Sequence, residues 1–156
     1  MECVADELLT RVSIDVMEKH AFVFPEPGEF SPAAPCPSGA LQAHVRFSGP
    51  ATGELVMFVP GELASEIAAD MLGLDPGDDG AEALIHDAVG ELANVLCGNV
   101  LQATEFKDQV LDLAAPEVSA GKAEVWKNLS IAPQTIGLSV DEHCVLVHFH
   151  IKSLFQ

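Results

Sequence analysis

The stretch from Ala81 to Phe106, AEALIHDAVGELANVLCGNVLQATEF, constrains this chain more than any other, because it reads as one long helix with two unlike faces. At about 100° per residue, Ile85, Val89, Leu92, Leu96, Val100 and Ala103 fall on a single stripe, the pattern of a helix lying on an apolar core. Asp87, Glu91, Asn94 and Gly98 line up on the opposite side. Two carboxylates, a carboxamide and a gap thus project along about three turns while burial anchors the other face. Any solvated helix face carries polar residues at such spacing, so the spacing alone favours plain surface. Asn94 adds a mild hint of function, since asparagine inside a helix costs about half a kcal/mol relative to alanine.

Around this helix the chain reads as an α+β domain. A first helix is expected over residues 3–20, with Leu8, Leu9, Val12 and Val16 toward the core. Five prolines between Pro25 and Pro37 forbid helix and central strand, so residues 25–40 read as an irregular connection. Period-two alternation in 41–47 and 54–59 describes a hairpin, and 135–140 with 144–152 a second one around Asp141-Glu142-His143. Between them, Pro60-Gly61-Glu62 starts a helix that Gly73 ends. The acidic turn 75–80 supplies Asp78 or Asp79 as a cap for the long helix; it lacks the order of a calcium loop. Residues 109–113 and the segment around Val118 read as a strand interrupted near Pro116, and 125–131 fits either strand or helix. Hairpins plus three helices imply helices packed on a mostly antiparallel sheet.

Composition excludes several function classes. The 156 residues fit one domain over 1–156, with its core in 41–152, and 49% hydrophobic content marks it as globular. With 24 acidic and 7 basic residues, the net charge of −17 repels phosphate backbones and anionic lipid, which argues against nucleic acid and membrane surfaces. MECVADELLTRV has no apolar signal core, and no apolar run approaches the ~20 residues needed to span a bilayer, so a cytoplasmic protein is expected. Cys3, Cys36, Cys97 and Cys144 contain no C-x-x-C pair and read as free thiols, with Cys97 a half-buried helix residue.

The histidines offer a competing site. His148 and His150 share one face of a strand, and His143 or His44 could join them in a zinc cluster. No local Cys/His spacing supports it, and a polar sheet face is the better reading. There is no G-x-S-x-G elbow and no glycine-rich phosphate loop.

Asp87-x3-Glu91-x2-Asn94, followed by the Gly98-Asn99 pair and by Pro116 and Gly121 in LDLAAPEVSAGKA, resembles the signature of the CheC/CheX/FliY chemotaxis phosphatases. One copy of the motif is present, as in CheX, and the resemblance covers about residues 5–152. It implies an enzyme that dephosphorylates the aspartyl phosphate of a CheY-like response regulator. Glu91 and Asn94 would be catalytic, and Asp87 and Gly98 would serve partner docking. The protein would need no metal of its own, because Mg2+ comes with the partner. The alternative is a non-catalytic module of the same fold that only docks onto a receiver domain. The resemblance, and the reading of the last strand as a sheet edge, also imply a homodimer whose two motif helices stay exposed.

Overall fold

In chain order the elements are α1 (Asp6–Ala21), β1 (Glu26–Pro27), β2 (Leu41–Ser48), β3 (Ala51–Val59), α2 (Gly61–Leu72), α3 (Ala81–Gln102), β4 (Asp112–Leu113), β5 (Glu117–Ala120), α4 (Ala123–Ile131), β6 (Thr135–Val140) and β7 (His143–Ser153). The computed structural model describes residues 6–73, 75 and 80–153. The beginning of the expected first helix and the expected caps Asp78 and Asp79 therefore lie outside the described residues. Gly80 occupies the N-cap position of α3.

The two hairpins form where alternation places them, and they join in one seven-stranded sheet of order β1-β6-β7-β3-β2-β4, with β5 also on β2. Its strand pairs are antiparallel. Alternation then sorts the side chains. Leu55, Met57 and Val59 of β3 and Val145, Val147, Phe149 and Ile151 of β7 face α1, α2 and α3 and form the main core. There Phe47 and Phe149 stack with ring centroids 5.6 Å apart. The structure is α+β, as alternation and helical periodicity together require.

Three expectations need correction. Residues 125–131 are helical, so four helices form among the described residues where three were expected. A short apolar run cannot be assigned by periodicity alone; what decides it is that Trp126 and Leu129 share one helical face and meet the uncovered apolar patch of the sheet. They pack with Val56, Phe58 and Leu146 in a second, smaller core. Trp126 also donates from Nε1 to the carbonyl of Ala34 at 3.1 Å, tying the proline-rich connection to α4.

The second correction concerns β7. It lies between β6 and β3, with His148 opposite Thr135 on one side and Val56 on the other. The last strand is thus flanked on both sides from Leu146 to His148, and over that stretch it offers no open edge for a second chain. Val145, Leu146 and Val147 are all fully buried, so this part of the strand is apolar on both faces and belongs in the middle of the sheet. The edges are β1 on one side and β4 and β5 on the other. Proline density forbade a central strand, and indeed Pro27 appears in the two-residue edge strand opposite Leu138.

Third, α3 stops at Gln102, short of Phe106, and Ala103 is exposed. The Thr104 hydroxyl donates to the carbonyl of Leu101 at 2.7 Å, one of the local bonds by which threonine competes with helix continuation.

Candidate functional site

The long helix is held from nearly all sides. It packs against α1 and α2 and lies over β2, β3 and β5. Val89, Leu92, Leu96 and Val100 are fully buried, each contributing about 1.5–3 kcal/mol by removal from water. Ala88, Gly90, Ala93, Cys97 and Leu101 are buried as well. Between its open first turn and its exposed end at Asn99 and Gln102, the helix leaves a strip accessible. Asp87 and Glu91 are exposed on it, and Asn94 and Gly98 are half-buried. Ile85, assigned to the apolar stripe, is only half-buried.

Beside this strip the second wall of the site comes from an interruption in the sheet. β4 pairs with β2 at Phe47 and Ser48, and β5 pairs with it again from Leu41 to His44. Between the two the chain detours through Ala114, Ala115 and Pro116, since proline has no N–H for the ladder. The detour is pinned at one end by Ala114 donating to the carbonyl of Arg46 at 2.8 Å, and at the other by the Arg46–Glu117 ion pair at 2.8 Å. It carries Pro116 onto α3 at Gly90. A Cβ built on Gly90 would lie 3.1 Å from Val118 Cγ2 and 3.3 Å from Pro116 Cγ, so the close approach of β5 depends on glycine there.

The result is a concavity of about 470 Å³ lined by His86, Asp87, Gly90, Glu91, Pro116 and Val118. It brings together Asp87, Glu91 and Pro116 from the sequence motif. Asn94 lies three residues beyond Glu91 on the same strip, outside the lining. Helical geometry puts the Cβ atoms of such a pair about 5–6 Å apart. Asn94 and Asn99 differ in availability. Asn99 donates from Nδ2 to the carbonyl of Val95 at 2.8 Å, whereas Asn94 makes no side-chain hydrogen bond among the described residues. At Gly98 a Cβ would meet nothing within 4 Å, so any side chain there would rise into open space next to Asn94. Gly121, the other glycine of the motif segment, is needed for packing, because a Cβ would lie 2.7 Å from Phe58 Cζ.

Gly90 and His86 were not singled out in the sequence, and Val118 entered only as part of a strand. A glycine inside a helical pattern is a recognisable sign of close backbone approach, but what approaches it is decided by the fold. Cys97 is fully buried, not half-buried, and burial pushes its thiol up to about 12. That excludes a reactive thiolate at neutral pH.

The histidine site does not assemble. His148 and His150 do share the second face of the sheet, but His143, five residues before His148 on β7, has the opposite parity, with Nε2 3.7 Å from Glu62 at α2. His148 Nδ1 lies 2.9 Å from Thr135 Oγ1, and burial lowers its pKa. His44 Nδ1 lies 3.5 Å from Glu54 Oε2, and this partner holds the Glu54 carboxyl below the usual range against the opposing effect of burial. Among the described residues no group of three or more His, Cys, Asp or Glu side chains is placed to hold a metal ion. Nor, among them, is any helix long and apolar enough to cross a membrane.

A family model described as "Chemotaxis phosphatase CheX" matches residues 41–149. Among solved structures, the chemotaxis protein CheX from Vibrio vulnificus is 18% identical, with a TM-score of 0.70 over 97% of this chain and 100% of that one. CheX from Borrelia burgdorferi, in a complex with CheY, BeF3 and Mg2+, is 16% identical, with a TM-score of 0.69 over 97% of this chain and 100% of that one. A CheC-like superfamily protein from a Shewanella species is 20% identical, with a TM-score of 0.68 over 96% and 100%. At these identities the likeness is one of fold. The comparison with curated proteins gave no match.

Proposed function

The chain belongs to the chemotaxis phosphatase CheX family, and on that premise we propose that it accelerates hydrolysis of the aspartyl phosphate on a CheY-like receiver domain. The observation that carries this reading is the pair Glu91 and Asn94. They stand one turn apart on the open strip of a helix whose opposite face is buried, and Asn94 has its amide uncommitted among the described residues. A water oxygen attacks phosphorus, the bond from phosphorus to the aspartyl oxygen breaks, and inorganic phosphate and a free carboxylate leave. Asn94 accepts a hydrogen bond from that water through its oxygen and donates one to a phosphoryl oxygen through its nitrogen. A carboxamide does this without bringing negative charge to a phosphoryl group.

Glu91 pairs with a cationic side chain of the partner and so fixes the register of the two proteins. Asp87 extends that contact from the rim of the concavity, and Gly98 keeps the strip low beyond Asn94. Mg2+, in this proposal, belongs to the receiver domain and neutralises the phosphoryl oxygens. Such a partner places the protein in the cytoplasm. The decisive experiment follows the loss of phosphate from a labelled receiver with and without the protein. Faster loss that Asn94→Ala abolishes supports the reading, whereas tight binding with no change in rate supports docking alone.

We also propose a homodimer, on a different surface from the one expected. β7 is flanked on both sides over 146–148, and the surface we assign is the part of the sheet's second face that α4 leaves open. Arg46, His150 and Lys152 lie there near Glu54 and Glu117, and a face of mixed sign is self-complementary about a two-fold axis. Both α3 strips then remain accessible. Light scattering should give twice the 16.5 kDa of one chain, reduced to one chain by Arg46→Glu with Lys152→Glu.

A further inference from the structure

Along α1, with no lining residue in common with the concavity on α3, runs an open groove of about 670 Å³ between the helix and the edge strand β1. Its wall of Asp6, Glu7, Asp15 and Glu18 is acidic, Ile14 and Thr10 lie between them, and Pro27 closes the other side. Arg11 is its one basic lining residue, and Lys19 lies nearby, paired with Asp15 at 3.1 Å. Ile14 is half-buried and packs on the main core, so the floor is firm. Just past the helix, Phe22 and Phe24 are 61% and 78% exposed in the segment that leads to β1. Single exposed aromatics are ordinary, but two of them in the short segment between α1 and the edge strand enlarge the surface a partner can cover.

We propose that this groove receives a basic amphipathic segment of another protein. Charge decides the occupant. A second copy of this chain carries a net charge of −17 with only 7 basic residues, and would bring more carboxylates to an acidic wall. A segment with lysines or arginines on one side and leucine-like residues on the other places its apolar stripe over Ile14 and Pro27 and its cations toward Glu7 and Glu18. Those two carboxylates are three turns apart on α1, about 16 Å, which sets the segment at roughly three helical turns. The groove lies at the β1 edge and the concavity beside Glu91 at the β5 edge, five strand steps away in the order β1-β6-β7-β3-β2-β5. At about 4.8 Å per step the separation is about 24 Å, so both surfaces can be engaged at once.

The test uses a fluorescent peptide of about 12 residues built from Lys and Leu with apolar positions at helical spacing, and a scrambled peptide of the same composition. Fluorescence anisotropy with the native protein should show saturable binding, at least tenfold tighter than for the scrambled peptide. Glu7→Lys with Glu18→Lys should weaken it about tenfold or more, and Glu91→Ala should leave it unchanged. Equal affinity for the scrambled peptide would reduce the effect to the general attraction of an acidic chain and overturn the proposal. So would loss of peptide binding in Glu91→Ala, which would place the peptide on α3. A change in solution mass caused by the Glu7/Glu18 double reversal would make the groove an interface between copies and also overturn it.

Discussion

Gly90 faces Pro116 across the site with no room to spare: a methyl group added to the helix at Gly90 would lie 3.3 Å from the proline ring. The position of one wall of the concavity relative to Asp87 and Glu91 therefore depends on the absence of a side chain. Gly90→Val should destabilise the fold by about 1–3 kcal/mol through overpacking. Chemical denaturation measures this, and Val118→Ala in the same chain should recover a substantial part of the loss by returning volume next to the new side chain. No recovery would mean that β5 does not set the fit.

Glu91 and Asn94 should fail in different ways. Losing one preorganised hydrogen-bonding group at a reacting centre typically costs on the order of 10² to 10³ in rate. Asn94→Ala is therefore expected to lose receiver dephosphorylation by about that factor while the complex forms nearly as before. Glu91→Ala should weaken the complex as well as the rate, seen by titration with the receiver. An Asn94→Ala protein of near-native activity would remove the water-positioning role.

Acid should destabilise the protein in two stages. Burial lowers the pKa of His148 from its ordinary 6.5, so the unfolded chain takes up a proton there first, and stability falls as pH drops through and below 6.5. Glu54 is held below its ordinary 4.5, chiefly by His44, so its contribution is present above 4.5 and is lost as pH falls through the lower folded value. Glu66 is raised above 4.5 by burial and by Asp141; its contribution, present below 4.5, is lost as pH rises through the folded value. Thermal unfolding from pH 7 to 5 should show a falling midpoint. His148→Gln should flatten that part of the curve, and an unchanged slope would place the titrating group elsewhere.

The β6–β7 turn stores strain that substitution should release. Asp141 and Glu142 both have positive φ, 48° and 70°, the conformation of a two-residue turn that favours Asn-Gly. A glutamate in the left-handed region costs about 1–2 kcal/mol. Glu142→Gly should stabilise by about 1 kcal/mol and raise the unfolding midpoint by about 2–4 °C, as calorimetry would record. Removing a second acidic group beside Asp141 acts in the same direction.

Much of this fold was legible because its signals are local. Alternation placed β2, β3, β6 and β7, proline density kept helix and central strand out of residues 25–40, and helical spacing put Asp87, Glu91 and Asn94 on one strip opposite Val89, Leu92 and Leu96. These follow from the periods of strand and helix, which neighbouring residues alone establish. Strand order is different in kind. β7 ends the described chain yet lies inside the sheet, because burial on both faces, and not chain position, selects its neighbours. Likewise 123–131 becomes a helix because Val56, Phe58 and Leu146 need a cover. The concavity beside Glu91 could not be read at all: it exists where Gly90 on α3 and the proline-broken edge of β2 meet, across sequence distance that no period spans.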